Sequence, residues 1–142
     1  IMCSLKEKPM TEMELFQIRM DDRRGEQLII LKEKGGNRRM LPIVIGVFEA
    51  GAIRMKVKGM KTARPLTHDL LKETIEQLGA TVEKIVIDNL KEGTFFAKLV
   101  LRTVTGEEVR VDARPSDAIA LALRANVPIF VKEEVLSLTA AL

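Results

Sequence analysis

The chain has 142 residues, enough for one domain with a buried core, and its 46% hydrophobic and 30% charged residues are typical of a globular protein. A single cysteine, Cys3, and a single histidine, His68, exclude a disulfide framework, a cysteine-rich zinc site and a two-histidine acid–base mechanism. The charge is uneven: residues 1–64 hold 14 Lys/Arg and 8 Asp/Glu, whereas the remainder holds 9 and 12, so the first half favours a polyanionic partner.

The two ends of the chain bear on its location and domain organisation. No apolar run reaches transmembrane length, and the start "IMCSLKEKP" mixes charges into a very short apolar stretch, unlike a signal peptide. We therefore expect a cytoplasmic protein with no membrane partner. Residues 1–10 are predicted to be a flexible leader, and residues 11–142 a single domain.

The first half of the chain predicts three strands and a helix. Residues 12–21 alternate, with Phe16, Ile18 and Met20 on one face, as in a half-buried strand. "QLIILKEK" follows a turn and predicts the hairpin partner, and "RRMLPIVIG" predicts a third strand that its proline limits to a sheet edge or a strand start. Residues 46–59 change to a helical period, with Gly51 small enough for close approach of another backbone and Gly59 as the stop.

The second half predicts a helix, an antiparallel meander and two further helices. "PLTHDLLKETIEQLGA" is the clearest helix, with Thr67 as its N-cap. Three strands separated by short turns follow, then a helix from Ser116 to about Ala125, a short strand "PIFV" and a C-terminal helix. The order predicts an α+β fold: one compact domain with a mixed, mostly antiparallel sheet and three to four helices.

Two segments repeat one arrangement, "ARPLTHDLL" (63–71) and "ARPSDAIAL" (113–121), which we call the Arg-Pro helix starts. In the structural interpretation the hydroxyl caps free N–H groups, the aspartate complements the helix dipole, and the arginine pairs with an aspartate. In the functional interpretation the N–H donors and the guanidinium attract phosphate. The phosphate-binding candidates are Arg64, Arg114 and Ser116.

Three aspartates are candidate metal ligands and catalytic groups. Asp69, Asp112 and Asp117 offer the hard oxygen atoms that Mg²⁺ or Mn²⁺ prefers, and a cation held there would activate water and offset charge on a phosphodiester. Asp112 also alternates with Glu108 and Arg110 on a predicted strand, so an exposed, inert position is its alternative interpretation.

His68 and Glu49 complete the catalytic candidates. His68 follows the predicted cap of its helix, where the dipole favours a neutral imidazole able to act as a general base, although a lone surface histidine is more often inert. Glu49 is the odd residue in the small, apolar stretch "VFEAGAI". Either it is a buried partner for an arginine or it is a ligand, and the sequence does not separate the two.

The segment "RMKVKGMKTAR" (54–64) has five basic residues and no acid. It predicts a surface that contacts nucleic acid, and a solvated helix end explains it equally well. The contact candidates are Arg54, Lys56, Lys58 and Lys61. The chain has five phenylalanines and no Trp or Tyr, which argues against stacking on bases, and the phenylalanines are expected in the core.

The motifs "LPIVIGVFEAGAI", "RPLTHDLL" and "ARPSDAIALAL…VPIFV", in this order and spacing, resemble the bifunctional nuclease domain family over roughly residues 13–136. The resemblance implies a compact α+β domain, often a homodimer, and activity on both DNA and RNA. The catalytic candidates that coincide with its motifs are Glu49, His68, Asp69, Asp112 and Asp117.

Three hypotheses follow. The first is a nuclease, a hydrolase of phosphodiester bonds in DNA and RNA, assisted by Mg or Mn. The second is a non-enzymatic homodimeric module that binds nucleic acid, nucleotide or protein in regulation. The third is a scaffold whose motifs only enforce the fold. Convergence of the two Arg-Pro helix starts in one cleft, across 50 residues of sequence, would separate a site from two unconnected helix caps.

Overall fold

The computed structural model describes residues 9–21 and 25–140. These residues form seven strands and four helices, and the predicted α+β fold is confirmed. In chain order they are β1 (Met10–Asp21), β2 (Glu26–Glu33), β3 (Met40–Ile45), α1 (Val47–Val57), α2 (Thr67–Gln77), β4 (Thr81–Lys91), β5 (Thr94–Arg102), β6 (Glu108–Ala113), α3 (Pro115–Ala125), β7 (Ile129–Lys132) and α4 (Glu133–Ala140).

The strands form one sheet in the order β3-β2-β1-β7-β4-β5-β6. The predicted β1–β2 hairpin and the β4–β5–β6 meander are confirmed, and the proline-containing strand β3 lies at an edge, as expected. The short strand β7 pairs with β1 in the antiparallel sense and with β4 in the parallel sense. It therefore joins two antiparallel halves into one mixed sheet.

Helix α3 is the centre of the layer that covers the sheet. Its residues 118–122 are fully buried or nearly so, and it packs on α1, α2, β4 and β5. The hydrophobic core is continuous from these residues to alternate positions of the strands. This packing brings the N-terminal ends of α2 and α3 together, because both helices lie side by side on the same layer.

The face predicted for β1 is wrong in part. Met13 is buried, whereas Phe16 and Met20 are exposed. A β-bulge between Leu15 and Gln17 leaves Phe16 without a partner in the ladder and shifts the alternation at that point. The ring of Phe16 instead lies under the Lys32 ammonium, 4.7 Å from its centroid.

Two expectations for α1 are also wrong. Phe48 is not a core residue, since 91% of it is exposed. Gly51 does not serve a close backbone approach, because a Cβ atom added there would meet nothing within 4 Å. Gly59 does follow the end of the helix, in the left-handed conformation expected of a stop (φ 68°).

Both predicted N-caps are wrong. Helix α2 begins at Thr67 with Leu66 as its N-cap, and α3 begins at Pro115 with Arg114 as its N-cap. Thr67 and Ser116 are helical residues and do not cap. Pro115 starts α3 one residue early, because its fixed φ suits the first helical position. At α2 the Asp69 carboxylate accepts the Leu66 N–H at 2.9 Å and so supplies the missing cap.

Two expectations concern the chain's periphery. Of the predicted leader, residues 1–8 lie outside the described residues, and β1 already begins at Met10. None of the described helices is long and apolar enough to cross a membrane.

Candidate functional site

Arg114 and Asp117 face each other across the first turn of α3. Arg114 is extended (φ −71°, ψ 144°), so its side chain folds back over the helix start. Its Nε and Nη2 atoms each lie 2.8 Å from Asp117 Oδ2. The arginine therefore pairs with the aspartate of its own motif, in agreement with the structural interpretation.

His68 joins the other Arg-Pro helix start to this pair. It is the second residue of α2, which packs against α3, and it is almost completely buried. Its Nε2 atom lies 3.0 Å from Asp117 Oδ1, although the two residues are 49 positions apart. The expectation of an exposed histidine is wrong, because α2 turns this residue toward α3. The two helix starts meet.

Glu49 adds a third helix to the group. Its Oε1 atom lies 3.0 Å from Arg114 Nη2, and the carboxylate is largely buried. Gly46, just before α1, makes room for it: a Cβ atom there would lie 2.5 Å from Glu49 Oε2. Of the two roles left open by the sequence, the structure shows the arginine partner. We call Glu49, His68, Arg114 and Asp117 the Arg114 cluster.

The charges of the Arg114 cluster stabilise one another. Partial burial raises the pKa of the Asp117 carboxyl, but hydrogen bonds from His68 and Arg114 outweigh burial and hold that pKa below its ordinary value of 3.8. The hydrogen bond to Asp117 likewise raises the pKa of the Arg114 guanidinium. Both groups are therefore charged at neutral pH.

The second ring nitrogen of His68 identifies its tautomer. Nδ1 is buried and has no hydrogen-bond partner among residues 9–21 and 25–140. A buried N–H without an acceptor is rarer in proteins than an unused acceptor. We assign the proton to Nε2, which then donates to Asp117, and leave Nδ1 with a free lone pair.

The Arg114 cluster lies in a cleft of about 450 Å³ between the starts of α1, α2 and α3. Arg114 is 67% exposed in its side chain, and its Nη1 has no hydrogen-bond partner within the described parts of the chain. The facing wall is apolar and comes mainly from Val47, Phe48, Met55 and Leu66. The cleft thus combines exposed guanidinium donors with an apolar surface.

A second groove, also about 450 Å³, adjoins the cleft at Met55 and Leu66. Lys56, Lys61 and Arg64 line it, and we call it the basic groove. Arg64, predicted to bind phosphate, therefore lies beside the cleft instead of within it.

Asp69 is held in an ion pair at the floor of the basic groove. Its Oδ1 accepts a hydrogen bond from Arg124 Nε at 2.8 Å, and only 4% of the Arg124 side chain is exposed. Arg124 also donates to the backbone carbonyls of Ala52 and Ala120. The Leu66 N–H and then Arg124 hold the pKa of the Asp69 carboxyl below its ordinary value, despite burial. This pair fastens α1, α2 and α3 together.

The basic segment 54–64 does not form one patch. Arg54 donates to Gln27 Oε1 at 2.8 Å and, with Lys58, lines a different groove beside β1. Lys56, Lys61 and Arg64 face the basic groove instead, because successive residues of a helix such as α1 point in different directions.

Two further candidates lie outside the cleft. Asp112 is on β6, its side chain is 75% exposed, and its nearest charged partner is Lys98 Nζ at 3.5 Å. Ser116 is buried in the first turn of α3 and lines a separate groove between β3 and β5.

The three aspartates do not fit a shared cation. Asp69 pairs with Arg124, Asp112 with Lys98, and Asp117 with His68 and Arg114. Among the described residues, no group of three His, Cys, Asp or Glu side chains could hold a metal ion. The metal-ligand prediction therefore has no assembled donor set behind it.

The sequence profile of the bifunctional nuclease domain matches residues 29–141, a range that contains the whole Arg114 cluster and the basic groove. The chain belongs to the bifunctional nuclease domain family. Its sequence is 41% identical, over 128 residues, to an uncharacterized protein of Mycobacterium tuberculosis. The aligned region covers 90% of this chain and 75% of that protein.

Plant relatives of the family carry the nuclease name. The chain is 31% identical over 107 residues to "Bifunctional nuclease 1" of Arabidopsis thaliana, covering 74% of this chain and 33% of the plant protein. It is 28% identical over 120 residues to "Bifunctional nuclease 1" of Oryza sativa subsp. japonica, covering 83% of this chain and 36% of the rice protein. The chain thus spans about a third of the length of these plant proteins.

Three residues in or beside the candidate site were not predicted from the sequence. Arg124 could have been found, because it is the one charged residue at the end of the apolar run "AIALALR" and such a position indicates a buried ion pair. Gly46 and Phe48 flank the start of α1. Their roles carry no local signal, since both depend on how α1 lies against α3.

Proposed function

We propose that the cleft of the Arg114 cluster binds and hydrolyses phosphodiester bonds in DNA and RNA. The observation that carries the proposal is the meeting of the two Arg-Pro helix starts: an exposed arginine, an ionised aspartate and a histidine share one cleft. Membership in the bifunctional nuclease family supports the same reaction class.

Arg114 is the proposed phosphate-binding group. Its fork of N–H donors matches phosphate oxygens, and the exposed Nη1 can donate without breaking the existing ion pairs. Glu49 and Asp117 fix the plane of the guanidinium from two sides. A preorganised cation aimed at the phosphoryl oxygens stabilises the charge that develops in the transition state.

Asp117 and His68 are the proposed proton-transfer pair. The Asp117 carboxylate accepts a proton from the water whose oxygen bonds to phosphorus, while His68 Nε2 holds the carboxylate in position. The bond between phosphorus and the leaving sugar oxygen breaks, and that oxygen takes a proton from solvent in the open cleft. Because the pKa of Asp117 is low, the carboxylate is a weak base. Charge stabilisation by Arg114 is therefore expected to supply the larger share of the rate enhancement.

The basic groove extends the proposed binding surface. Lys56, Lys61 and Arg64 lie next to the cleft and would attract phosphates on either side of the one that reacts. Binding should consequently weaken as salt concentration rises.

The test is hydrolysis of a labelled DNA strand and a labelled RNA strand by the purified chain, in EDTA and with added Mg²⁺ or Mn²⁺. Asp117→Asn should lower the rate at least ~100-fold, because the amide removes the proton acceptor and the ion pair. Asp112→Asn is the matched control, five residues away and outside the cleft, and should keep the wild-type rate. The EDTA arm reports whether added cation contributes.

Two results would contradict this proposal. One is a wild-type preparation that has no activity once contaminating nucleases have been removed. The other is an Asp117→Asn variant that hydrolyses both strands as fast as the wild type.

A second function, a non-enzymatic module that binds nucleic acid or nucleotide as a homodimer in regulation, also has support. Arg114 already pairs with Glu49 and Asp117, and the described residues form no metal site. Such mutual pairing suits reversible binding as well as catalysis. Binding of a labelled strand that survives EDTA and yields no product, by a chain that sediments as a dimer, would select this function.

A further inference from the structure

Phe48 is the most exposed of the large apolar side chains in the described parts of the chain. It is the second residue of α1, directly before Glu49, and it lines the same cleft as Arg114 and Asp117. Its neighbour Val47 is exposed too. A ring left in water beside a charged cluster loses the stabilisation that burial gives most aromatic side chains, and a ligand that covers the ring would restore it.

We infer that the Phe48 ring is a stacking platform for an unpaired nucleobase of single-stranded nucleic acid whose phosphate lies on Arg114. The inference rests on the proposed function and deepens it, because it names the form of the substrate. Every base has a flat face that stacks on an aromatic ring, so this contact tolerates any base and either sugar.

Phe48 and Arg114 line the same cleft. Phe48 and Glu49 are consecutive, so their Cα atoms are about 3.8 Å apart, and Glu49 contacts the Arg114 guanidinium. The cleft thus offers both a ring and donors for a phosphate. A duplex keeps its bases stacked on each other and cannot present a free face, whereas a single strand can.

The surrounding charge favours a polyanion over a second copy of the chain. The basic groove, lined by Lys56, Lys61 and Arg64, adjoins the cleft that contains Phe48. A two-fold contact through Phe48 would bring the same basic surface of both copies together. A nucleic acid strand would neutralise it.

The absence of Trp and Tyr from the chain makes a direct test available. Phe48→Trp introduces a sole tryptophan, whose emission should be quenched by a single-stranded oligothymidylate. An abasic strand of equal length and a blunt duplex should leave it unchanged. Leu78→Trp is the matched control: it is 81% exposed, just beyond the other end of α2, and its emission should not respond to any of the three.

The size of the contribution follows from Phe48→Leu, which keeps an apolar side chain but removes the ring. We expect binding of the oligothymidylate to weaken about tenfold, and binding of the abasic strand to stay the same. Circular dichroism and gel analysis of the same samples establish that the variant is folded and that the strand is intact.

The results separate this inference from the hydrolytic function. Quenching by the base-containing strand without hydrolysis retains the platform and removes the nuclease. Hydrolysis by Phe48→Leu with an unchanged KM for the oligothymidylate overturns the platform and leaves the nuclease. Equal quenching by the abasic strand overturns it as well. A dimeric wild type and a monomeric Phe48→Leu variant that still binds the strand would also overturn the platform, because the ring would then belong to a contact between two chains.

Discussion

Arg39 and Arg114 each contact two carboxylates, and the surroundings of the two arginines differ. Arg39 contacts Glu33 through Nε and Nη2 at 2.9 and 3.0 Å, and it contacts Glu133 at 2.8 Å. Glu33 is buried and also accepts the Arg39 backbone N–H, and Thr11 donates to Glu133. This group, the Arg39 cluster, ties β1, β2 and α4 together.

The Arg114 cluster uses the same chemistry in a more open place. The Arg114 side chain is twice as exposed as that of Arg39, 67% against 33%. Its group also includes His68, the single histidine of the chain, whereas the Arg39 cluster contains no histidine. The pairing of an arginine with two acids therefore does not define a site; the greater exposure of Arg114 and the neighbouring histidine distinguish the candidate site from the Arg39 cluster.

The sharpest way to break the comparison is to remove each arginine in turn. Arg114→Ala should reduce the rate of hydrolysis about 100-fold or more, since it deletes the proposed charge stabilisation. Its melting temperature should fall less than that of Arg39→Ala. Arg39→Ala should lower the melting temperature by several degrees, because it leaves the buried Glu33 carboxylate unpaired, and should keep its activity per folded molecule. Thermal unfolding and initial rates on the same preparations decide the matter; the reverse pattern would show that the roles were assigned wrongly.

A smaller effect is expected from crowding the Arg114 cluster without changing its charges. In Gly46→Ala the new Cβ would lie 2.5 Å from Glu49 Oε2, so the carboxylate must move from Arg114, and activity should fall about tenfold. The backbone there is extended (φ −76°), so alanine adds no backbone strain and the contact with Glu49 is the cause of the effect.

Gly51→Ala is the matched control, since its Cβ would meet nothing within 4 Å. It should stabilise α1 by ~0.5–1 kcal/mol and keep most of the activity. Equal activity in the two variants would mean that the Glu49–Arg114 contact is dispensable.

The smallest effect concerns acid stability. The Arg39 side chain, by hydrogen bonding, holds the pKa values of Glu33 and Glu133 below their ordinary 4.5. Carboxyls of this kind stabilise the fold fully above their unfolded pKa, and the stabilisation is lost as pH falls through the lower folded value. Glu33→Gln should therefore flatten the fall in melting temperature below about pH 4.5. If the melting temperature of Glu33→Gln falls with pH as steeply as that of the wild type, Glu33 does not contribute to the loss of stability in acid.

Most elements followed from short-range signals. Alternation between turns predicted the hairpin and the meander, and the Arg-Pro segments predicted where α2 and α3 begin. The errors arose where tertiary packing overrode a local preference: the bulge at Phe16 interrupted the alternation of β1, and Asp69 capped α2 in place of Thr67. The exposure of Phe48 was missed because an apolar residue at helical spacing is usually buried.

The residue types of the candidate site can be read from the sequence: one histidine, two arginines and several acids at the starts of predicted helices. Which of these residues meet depends on tertiary packing. The packing of α3 against α2 brings Asp117 to His68, and the packing of α3 against α1 brings Arg114 to Glu49. The same packing turns Asp69 to Arg124 and leaves Asp112 on an exposed strand. Local spacing fixes a residue's place on its own helix, whereas a contact with a partner 49 positions away depends on how the two helices pack together.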